Sequence, residues 1–345
     1  MTTAVGMNED QQTNLQGLLR ARGLLSPDDV IRVGLISGGR SNLTYRVESS
    51  SASWVLRRPP LGHVLSTAHD MEREYTVLAG LSRASTVPCP ATVLNFNDGD
   101  VIGAPFFLME YVDGSVLRST EEVLSIPEHQ QLDLANDLVD VLAALHTVDP
   151  AAVGLSEFGR PSGFMTRQVA RWTRQLDASR SRPLADINEL AENLTETIPV
   201  QHYSSIVHGD YRLDNCLVRD GVVAAVLDWE MSTLGDPLSD LALFKVYYSG
   251  LAGIDNPIVQ ATEGLGSYPS FDSLSDRYAT KTGHDLAALD WYEAFAWFKF
   301  AVILEGIHYR SSIGATVGPG FEGVTELVQP SVDQGVEALR KYIES

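Results

Sequence analysis

Lysine is almost missing from this chain. Only Lys245, Lys281, Lys299 and Lys341 occur, so the first 244 residues have none, and arginine supplies the other 21 of the 25 basic residues. A mechanism that needs an N-terminal lysine is thereby excluded, and so is the GxxxxGK phosphate loop. Cysteine is as scarce. Cys89 and Cys216 stand far apart, with no CxxC or Cys/His cluster, which argues against a disulfide framework or structural zinc site and fits a reducing cytoplasm. No apolar run is long enough to span a bilayer: the greasiest, Phe295 to Leu304, is short and contains Lys299. Met1 to Gln12 lacks the basic start and apolar core of a secretory signal. Positive charge is in deficit, with 25 Lys plus Arg against 45 Asp plus Glu and a net charge of −20. That balance disfavours a general nucleic-acid or anionic-membrane binder. A soluble cytoplasmic protein is the expectation.

What is present has globular proportions. Of 345 residues 44% are hydrophobic and 20% charged, enough for one large domain or two smaller ones. The first third alternates like strands. Val33–Ile36 and Leu43–Val47 flank Ser37-Gly38-Gly39-Arg40-Ser41 as a hairpin would, and Trp54–Arg58 is a third strand ending at Pro59-Pro60. Over Val64–Leu81 the period becomes helical, with Met71, Tyr75, Leu78 and Leu81 on one face. Strands return at Thr92–Phe96 and Phe106–Val112, and Asp113-Gly114 is a turn that marks a lobe boundary. Beyond it the chain is mainly helical: Pro127–His146, with Leu132, Ala135, Leu138, Val139, Leu142 and Leu145 as a buried stripe, then Phe164–Leu176, Pro237–Tyr248, Leu286–Tyr309 and Phe321–Ile343. These patterns predict an α+β, two-lobed architecture. Residues 1–113 form a small antiparallel-sheet lobe with one helix, preceded by a helical extension over 1–30, and residues 114–345 form a larger, mainly helical lobe.

A β-like island, Ile206–Trp229, carries the densest polar chemistry. It reads His208-Gly209-Asp210-Tyr211-Arg212-Leu213-Asp214-Asn215, then a short strand, a turn at Asp220-Gly221, and a second strand leading into Asp228. Asp210, Asn215 and Asp228 could converge there. A carboxylate with an amide oxygen suits Mg²⁺, a hard ion that shares its ligands with substrate phosphates, and the other carboxylate can then orient a hydroxyl and accept its proton. His208 is better read as a loop support, and Asp236 and Asp240 as loop braces or helix caps, than as reactants.

The H-x-D-x-x-x-x-N pattern, followed 13 residues later by aspartate, resembles the catalytic and metal-binding loops of the protein-kinase-like superfamily. Gly209 and Asp228-Trp229 are similar to the aminoglycoside phosphotransferase and choline kinase branch. HGDYRLDN, with Leu227-Asp228-Trp229-Glu230 and the run Leu234 to Ala242, resembles the phosphotransferase domain of acyl-CoA dehydrogenase family members 10 and 11. The resemblance spans about Gly34 to Ser312. It implies a protein-kinase-like fold, with a nucleotide-binding N-terminal lobe and the catalytic loop and acceptor site in the C-terminal lobe. It also implies ATP or GTP with Mg²⁺, Asp210 as catalytic base, and Asn215 and Asp228 as metal ligands. Arg212, two residues after the base, would stabilise charge on the transferring phosphoryl group.

The same resemblance makes Gly38, Gly39, Arg40 and Ser41 a phosphate-covering loop. Where protein kinases place a third-strand lysine paired with a helix glutamate, this chain offers Arg57, or Arg58 beside it, and Glu74, with Glu72 as the alternative. Backbone groups of Glu110 and Val112 would meet the adenine edge. The expected reaction is γ-phosphoryl transfer to a hydroxyl of a small molecule, either a hydroxyacyl-CoA-type or an aminoglycoside-like acceptor. Among Trp291, Tyr292, Phe295, Trp297, Phe298, His308 and Tyr309, most are expected in the core and two in an acceptor pocket, and Arg310 is placed to meet an anion or cap its helix. The alternatives are a non-catalytic nucleotide-binding protein and, behind it, a metal-dependent hydrolase.

Overall fold

The computed structural model describes residues 6–38, 42–59, 71–251, 261–313 and 323–345. It divides into two units, Met1–Asp113 with Val153–Leu155 and Ala224–Glu230, and Gly114–Ala152 with Ser156–Val223 and Met231–Ser345.

The first unit opens with helix α1 (Glu9–Ala21), begun by a reciprocal cap in which Asn8 and Gln11 each bind the other's backbone N–H. Strands β1 (Arg32–Gly38), β2 (Leu43–Glu48) and β3 (Ser53–Arg58) follow, then helix α2 (Met71–Ala84), β4 (Thr92–Phe96) and β5 (Phe106–Glu110). The five strands form one sheet in the order β1-β2-β3-β5-β4, with every neighbouring pair antiparallel. The expected hairpin is β1–β2, with Val33 opposite Val47 and Gly38 opposite Leu43. Its turn residues Gly39, Arg40 and Ser41 lie outside the described residues, as does the first turn expected of the helix, 64–70. β5 stops two residues short of Val112, because β3 begins at Ser53 and the Ser53 carbonyl already takes the Tyr111 N–H.

Both faces of the sheet are covered, which is why five successive β3 residues are buried rather than alternate ones. On one face Trp54 and Leu56 join Leu15 and Leu19 of α1, Tyr45, Phe106 and Leu108 in a single apolar cluster. On the other, α2 packs on β4 and β5, with Tyr75 edge-on to Phe107. The period of two therefore sends Arg57 and Arg58 to opposite faces.

The second unit holds helices α3 (Thr120–Ser125), α4 (Glu128–Thr147), α5 (Phe164–Ser179) and α6 (Ile187–Glu196). Next come strand β6 (Ser205–Val207), a single 3₁₀ turn at Leu213–Asn215, and strand β7 (Cys216–Arg219). β7 turns at Asp220-Gly221 into β8 (Val222–Val226), and both turn residues are left-handed, φ 53° and 77°, as a two-residue hairpin of this chemistry requires. Ala224–Glu230 belong to the first unit, and the chain returns to the second at Met231. β9 (Thr233–Gly235) pairs antiparallel with β6, and helices α7 (Leu238–Ser249), α8 (Phe271–Thr282), α9 (Leu289–Ser312) and α10 (Val324–Glu344) complete the unit.

Helix α9 is its centre, packed by α5, α6, α7 and α10 and apolar on nearly every side. Trp291, Tyr292, Phe295, Trp297 and Phe298 are all buried, in line with the expectation that most of the stripe is core. His308 and Tyr309 are half-buried and Arg310 is exposed in the last turn. No described helix is long and apolar enough to cross a membrane.

Candidate active site

Each unit gathers one polar cluster. In the first, β3 aims Arg57 away from the α1 face. Its Nη1 lies 3.0 Å from Glu74 Oε1 on α2, and its Nη2 donates to Asp228 Oδ1 at 3.1 Å. Arg58, on the opposite face, donates instead to the Ile102 carbonyl at 3.0 Å and stays in the apolar cluster's surroundings. Asp228 follows β8 with φ 64°, a left-handed conformation uncommon for a residue with a Cβ and found where structure around it holds the strain. The segment is anchored by the Val226 N–H on the Pro88 carbonyl and by the Trp229 indole N–H on the Val226 carbonyl.

Burial sets the electrostatics here. It pushes the Glu74 carboxyl up to about 7, against the pull of Arg57 and with help from Asp228 and Glu230. Burial also opposes the charge on Arg57, but Glu74 and then Asp228 outweigh it and hold the guanidinium's pKa above its usual value. Asn42 Nδ2 lies 3.5 Å from Glu230 Oε2. The structure thus brings together Arg57, Glu74 and Asp228. Gly38 ends β1, whereas Gly39, Arg40 and Ser41 fall outside the described residues. Glu110 has an exposed side chain, and its N–H is taken by the Ala91 carbonyl at 2.8 Å. Val112 is half-buried in the coil that follows.

In the second unit the chain leaves β6 at His208. Gly209 sits at φ 85°, and a Cβ there would meet the Met231 carbonyl oxygen at 2.8 Å, so only glycine fits. Asp240, in the first turn of α7, accepts the N–H groups of both His208 and Gly209. It is buried, yet His146, His208 and these donors hold its carboxyl below the usual range. The buried His208 ring accepts the Asp210 N–H on Nδ1 at 3.2 Å. Asp236 accepts the Leu238 N–H at the start of α7 and the Tyr292 hydroxyl at 2.7 Å. All three act as braces in these contacts.

Asp210 is met by three side chains. Tyr247 donates its hydroxyl to Oδ1 at 3.0 Å, Asn215 Nδ2 donates to Oδ2 at 3.0 Å and to the Asp210 carbonyl at 2.8 Å, and Arg212 Nε lies 3.3 Å from Oδ2. Burial favours the neutral acid, but Arg212, Lys299 and His208 outweigh it and keep the carboxyl below the usual range. Arg212 is shared, with Nη1 3.2 Å from Asp214 and its guanidinium over the Tyr247 ring. Because both Asp210 atoms facing Asn215 are acceptors, the amide must present its nitrogen to them, which leaves its oxygen as the ligand-type atom. Two members of this cluster were not legible beforehand: Tyr247, a tyrosine in a core helix, and Lys299, whose Nζ donates to the Gly209 carbonyl at 2.9 Å. The only signal for Lys299 was a charge inside an apolar run.

A carboxylate kept ionised and oriented by neutral and cationic donors can align a hydroxyl and receive its proton. Among the described residues no group of three or more His, Cys, Asp or Glu could hold a metal ion. Asn215 in the second unit and Asp228 in the first each carry an oxygen of the kind a hard cation takes.

The sequence model of the phosphotransferase enzyme family matches residues 32–273, more than half of the chain. The chain belongs to that family. Among relatives of this chain, acyl-CoA dehydrogenase family member 11 of Gallus gallus is 33% identical over 328 residues, which is 91% of this chain and 41% of the relative. Family member 10 of Mus musculus is 34% identical over 284 residues, 80% of this chain and 26% of the relative. The chain thus spans less than half the length of these relatives. A solved structure from Ralstonia eutropha, assigned provisionally as an aminoglycoside phosphotransferase, superposes with a TM-score of 0.83 at 29% identity, covering 95% of this chain and 98% of that one. Two others share the fold alone. Choline kinase from Cryptosporidium parvum has a TM-score of 0.64 at 14% identity over 96% of both chains. A thermostable aminoglycoside phosphotransferase in ternary complex with ADP and hygromycin B has a TM-score of 0.58 at 14% identity, covering 94% of this chain and 97% of that one. The fold is therefore kinase-like, and the chemistry of the family is phosphoryl transfer.

Proposed function

We propose that this chain is an ATP-dependent kinase of the cytoplasm that transfers the γ-phosphoryl group to a hydroxyl of a small molecule. The observation that carries the reading is Asp210, a carboxylate held ionised by Arg212 and Lys299 and oriented by Tyr247 and Asn215 in a phosphotransferase family chain. Asp210 aligns the acceptor hydroxyl and takes its proton as the new O–P bond forms and the bond from the γ-phosphorus to the β–γ bridging oxygen breaks, releasing ADP. Arg212 stands beside it to meet charge on the transferring group. Residues 1–113 bind the nucleotide. The Gly38–Ser41 loop covers its phosphates, Arg57 braced by Glu74 takes the place of the usual lysine, and the Glu110 carbonyl and Val112 N–H receive the adenine. Residues 114–345 supply the catalytic loop and the acceptor site. Asn215 and Asp228 are the residues that would hold Mg²⁺, which when bound neutralises phosphate charge. The nucleotide in the neighbouring ternary complex supports ATP as donor.

For the acceptor we favour a hydroxyacyl thioester over an aminoglycoside. The acyl-CoA dehydrogenase relatives support that choice. The lysine-free nucleotide unit favours a second reading, a nucleotide-binding protein without turnover. A thermal-shift titration with ATP, with and without Mg²⁺, followed by an ATP-consumption screen over hydroxyacyl-CoAs, aminoglycosides, choline-like alcohols and sugars, separates them. We expect Mg-dependent stabilisation and turnover with a hydroxyacyl-CoA. Stabilisation without turnover on any acceptor would favour the second reading, and no stabilisation at all would refute both.

A further inference from the structure

Lys299 is the one charged side chain between Trp297 and Val302 on a helix whose neighbouring positions, Trp297, Phe298, Phe300, Ala301 and Val302, are all buried. A cation set among such neighbours needs a specific partner to offset its desolvation, which pulls the ammonium's pKa below its usual value. Its partner is a backbone oxygen, that of Gly209, at 2.9 Å. The Gly209–Asp210 peptide is held at its other end too, because the Asp210 N–H donates to His208 Nδ1 at 3.2 Å. The preceding peptide is held through the Gly209 N–H, which donates to Asp240 Oδ1 at 2.9 Å. Gly209 is left-handed at φ 85°, the type of residue whose flanking peptides rotate most freely if nothing holds them. Trp172 of α5 supports the ammonium from its ring face, 5.5 Å from Nζ to the ring centroid.

We infer that Lys299 is a positioning residue for catalysis: by gripping the Gly209 carbonyl from α9 it fixes the peptide plane that carries Asp210, and so the direction in which the Asp210 carboxylate faces its acceptor. Lys299 touches no reacting atom in this scheme. The inference rests on the reading of Asp210 as the base. It assigns to the lysine of α9 a task that the lysine-poor nucleotide unit has no means to share.

The test is Lys299→Met, which keeps the length of the side chain and suits its apolar neighbours, with Lys299→Arg as the conservative counterpart. Lys299→Met is expected to lower kcat for ATP turnover about 10²-fold, the scale of a small misplacement of a catalytic group, while KM for ATP changes less than about threefold. Lys299→Arg is expected to recover part of the loss. Independently of turnover, amide hydrogen exchange over residues 208–212 should accelerate in Lys299→Met with the melting temperature little changed. Wild-type kcat together with wild-type exchange in Lys299→Met would overturn the inference, as would a loss confined to KM. Accelerated exchange in a protein whose wild type turns over no acceptor would keep the clamp and sink the kinase reading instead. If Lys299→Met does not fold, Lys299→Gln, which retains a donor, is measured in the same way.

Discussion

Arg57 and Asp210 stand at the centres of two clusters with opposite electrical surroundings. Arg57 is one cation facing Glu74 and Asp228, with Glu230 adding to the negative field. Asp210 is one carboxylate met by the cations Arg212 and Lys299 and by the neutral donors Tyr247 and Asn215. Burial acts on both and pushes each acid toward its neutral form. In the first cluster it prevails and Glu74 is pushed up to about 7; in the second it is outweighed and Asp210 lies below the usual range. Depth and compensating charge act together: the Glu74 side chain is 1% exposed and faces one cation, whereas that of Asp210 is 27% exposed and faces several donors. A cluster with surplus acid suits a further cation, and a carboxylate with surplus donors stays ionised and oriented at neutral pH.

The sharpest way to break this contrast is Asp210→Ala. It removes the acceptor for the hydroxyl proton and should cut kcat about 10³-fold with circular dichroism unchanged; full turnover would refute its assignment as base. Next is Arg57→Met. It strands Glu74, whose side chain is 1% exposed, without its cation, and should cost about 2–4 kcal/mol in urea unfolding at pH 8. At pH 5 the cost should shrink, because the stranded Glu74 takes up a proton.

A third test uses the Glu74 carboxyl alone. Its native value of about 7 exceeds the 4.5 of an unperturbed glutamate, so between these pH values the native state holds more proton than the unfolded chain. That excess makes stability fall as pH rises through this window. Glu74→Gln should remove about one proton's worth of that slope, and an unchanged slope in unfolding midpoints from pH 4.5 to 7.5 would show that Glu74 does not titrate there. The smallest effect is expected at Leu132. Leu132→Ser should change stability by less than about 0.5 kcal/mol, whereas Leu134→Ala, at a fully buried position, should cost about 2–5 kcal/mol.

Leu132 also shows where sequence patterning stops. A stripe through Leu132, Ala135, Leu138, Val139, Leu142 and Leu145 predicts it inward, yet it is 46% exposed while Gln131 is buried. Gln131 earns its place by hydrogen bonds, donating to the Ile126 carbonyl and accepting the Ser267 N–H. A hydropathy pattern has no means of foreseeing a buried amide with one of its two partners supplied from 136 residues away. The strands were legible because β-branched and aromatic residues alternate, and the Asp220-Gly221 turn because its dipeptide demands two left-handed residues. α8 escaped notice since only Phe271, Leu274 and Tyr278 face inward, although Ser270 and Gly283 cap it at either end. α6 keeps the helical spacing Ile187, Leu190, Ala191 and Leu194, but within only ten residues. In the site, motif residues could be read from their spacing, and Arg57 with Glu74 from the resemblance. Tyr247 and Lys299 could not, since their contacts with the 208–215 loop exist only after α7 and α9 have packed.

The arginine on β3 has a consequence for how such a protein is found. Acyl-nucleotide reagents label kinases by acylating a lysine amine next to the bound phosphates. A guanidinium is a poor nucleophile that keeps its proton at any working pH, and no lysine precedes Lys245. A lysine-directed acylating analogue of the proposed nucleotide would therefore find no amine to capture in residues 1–113.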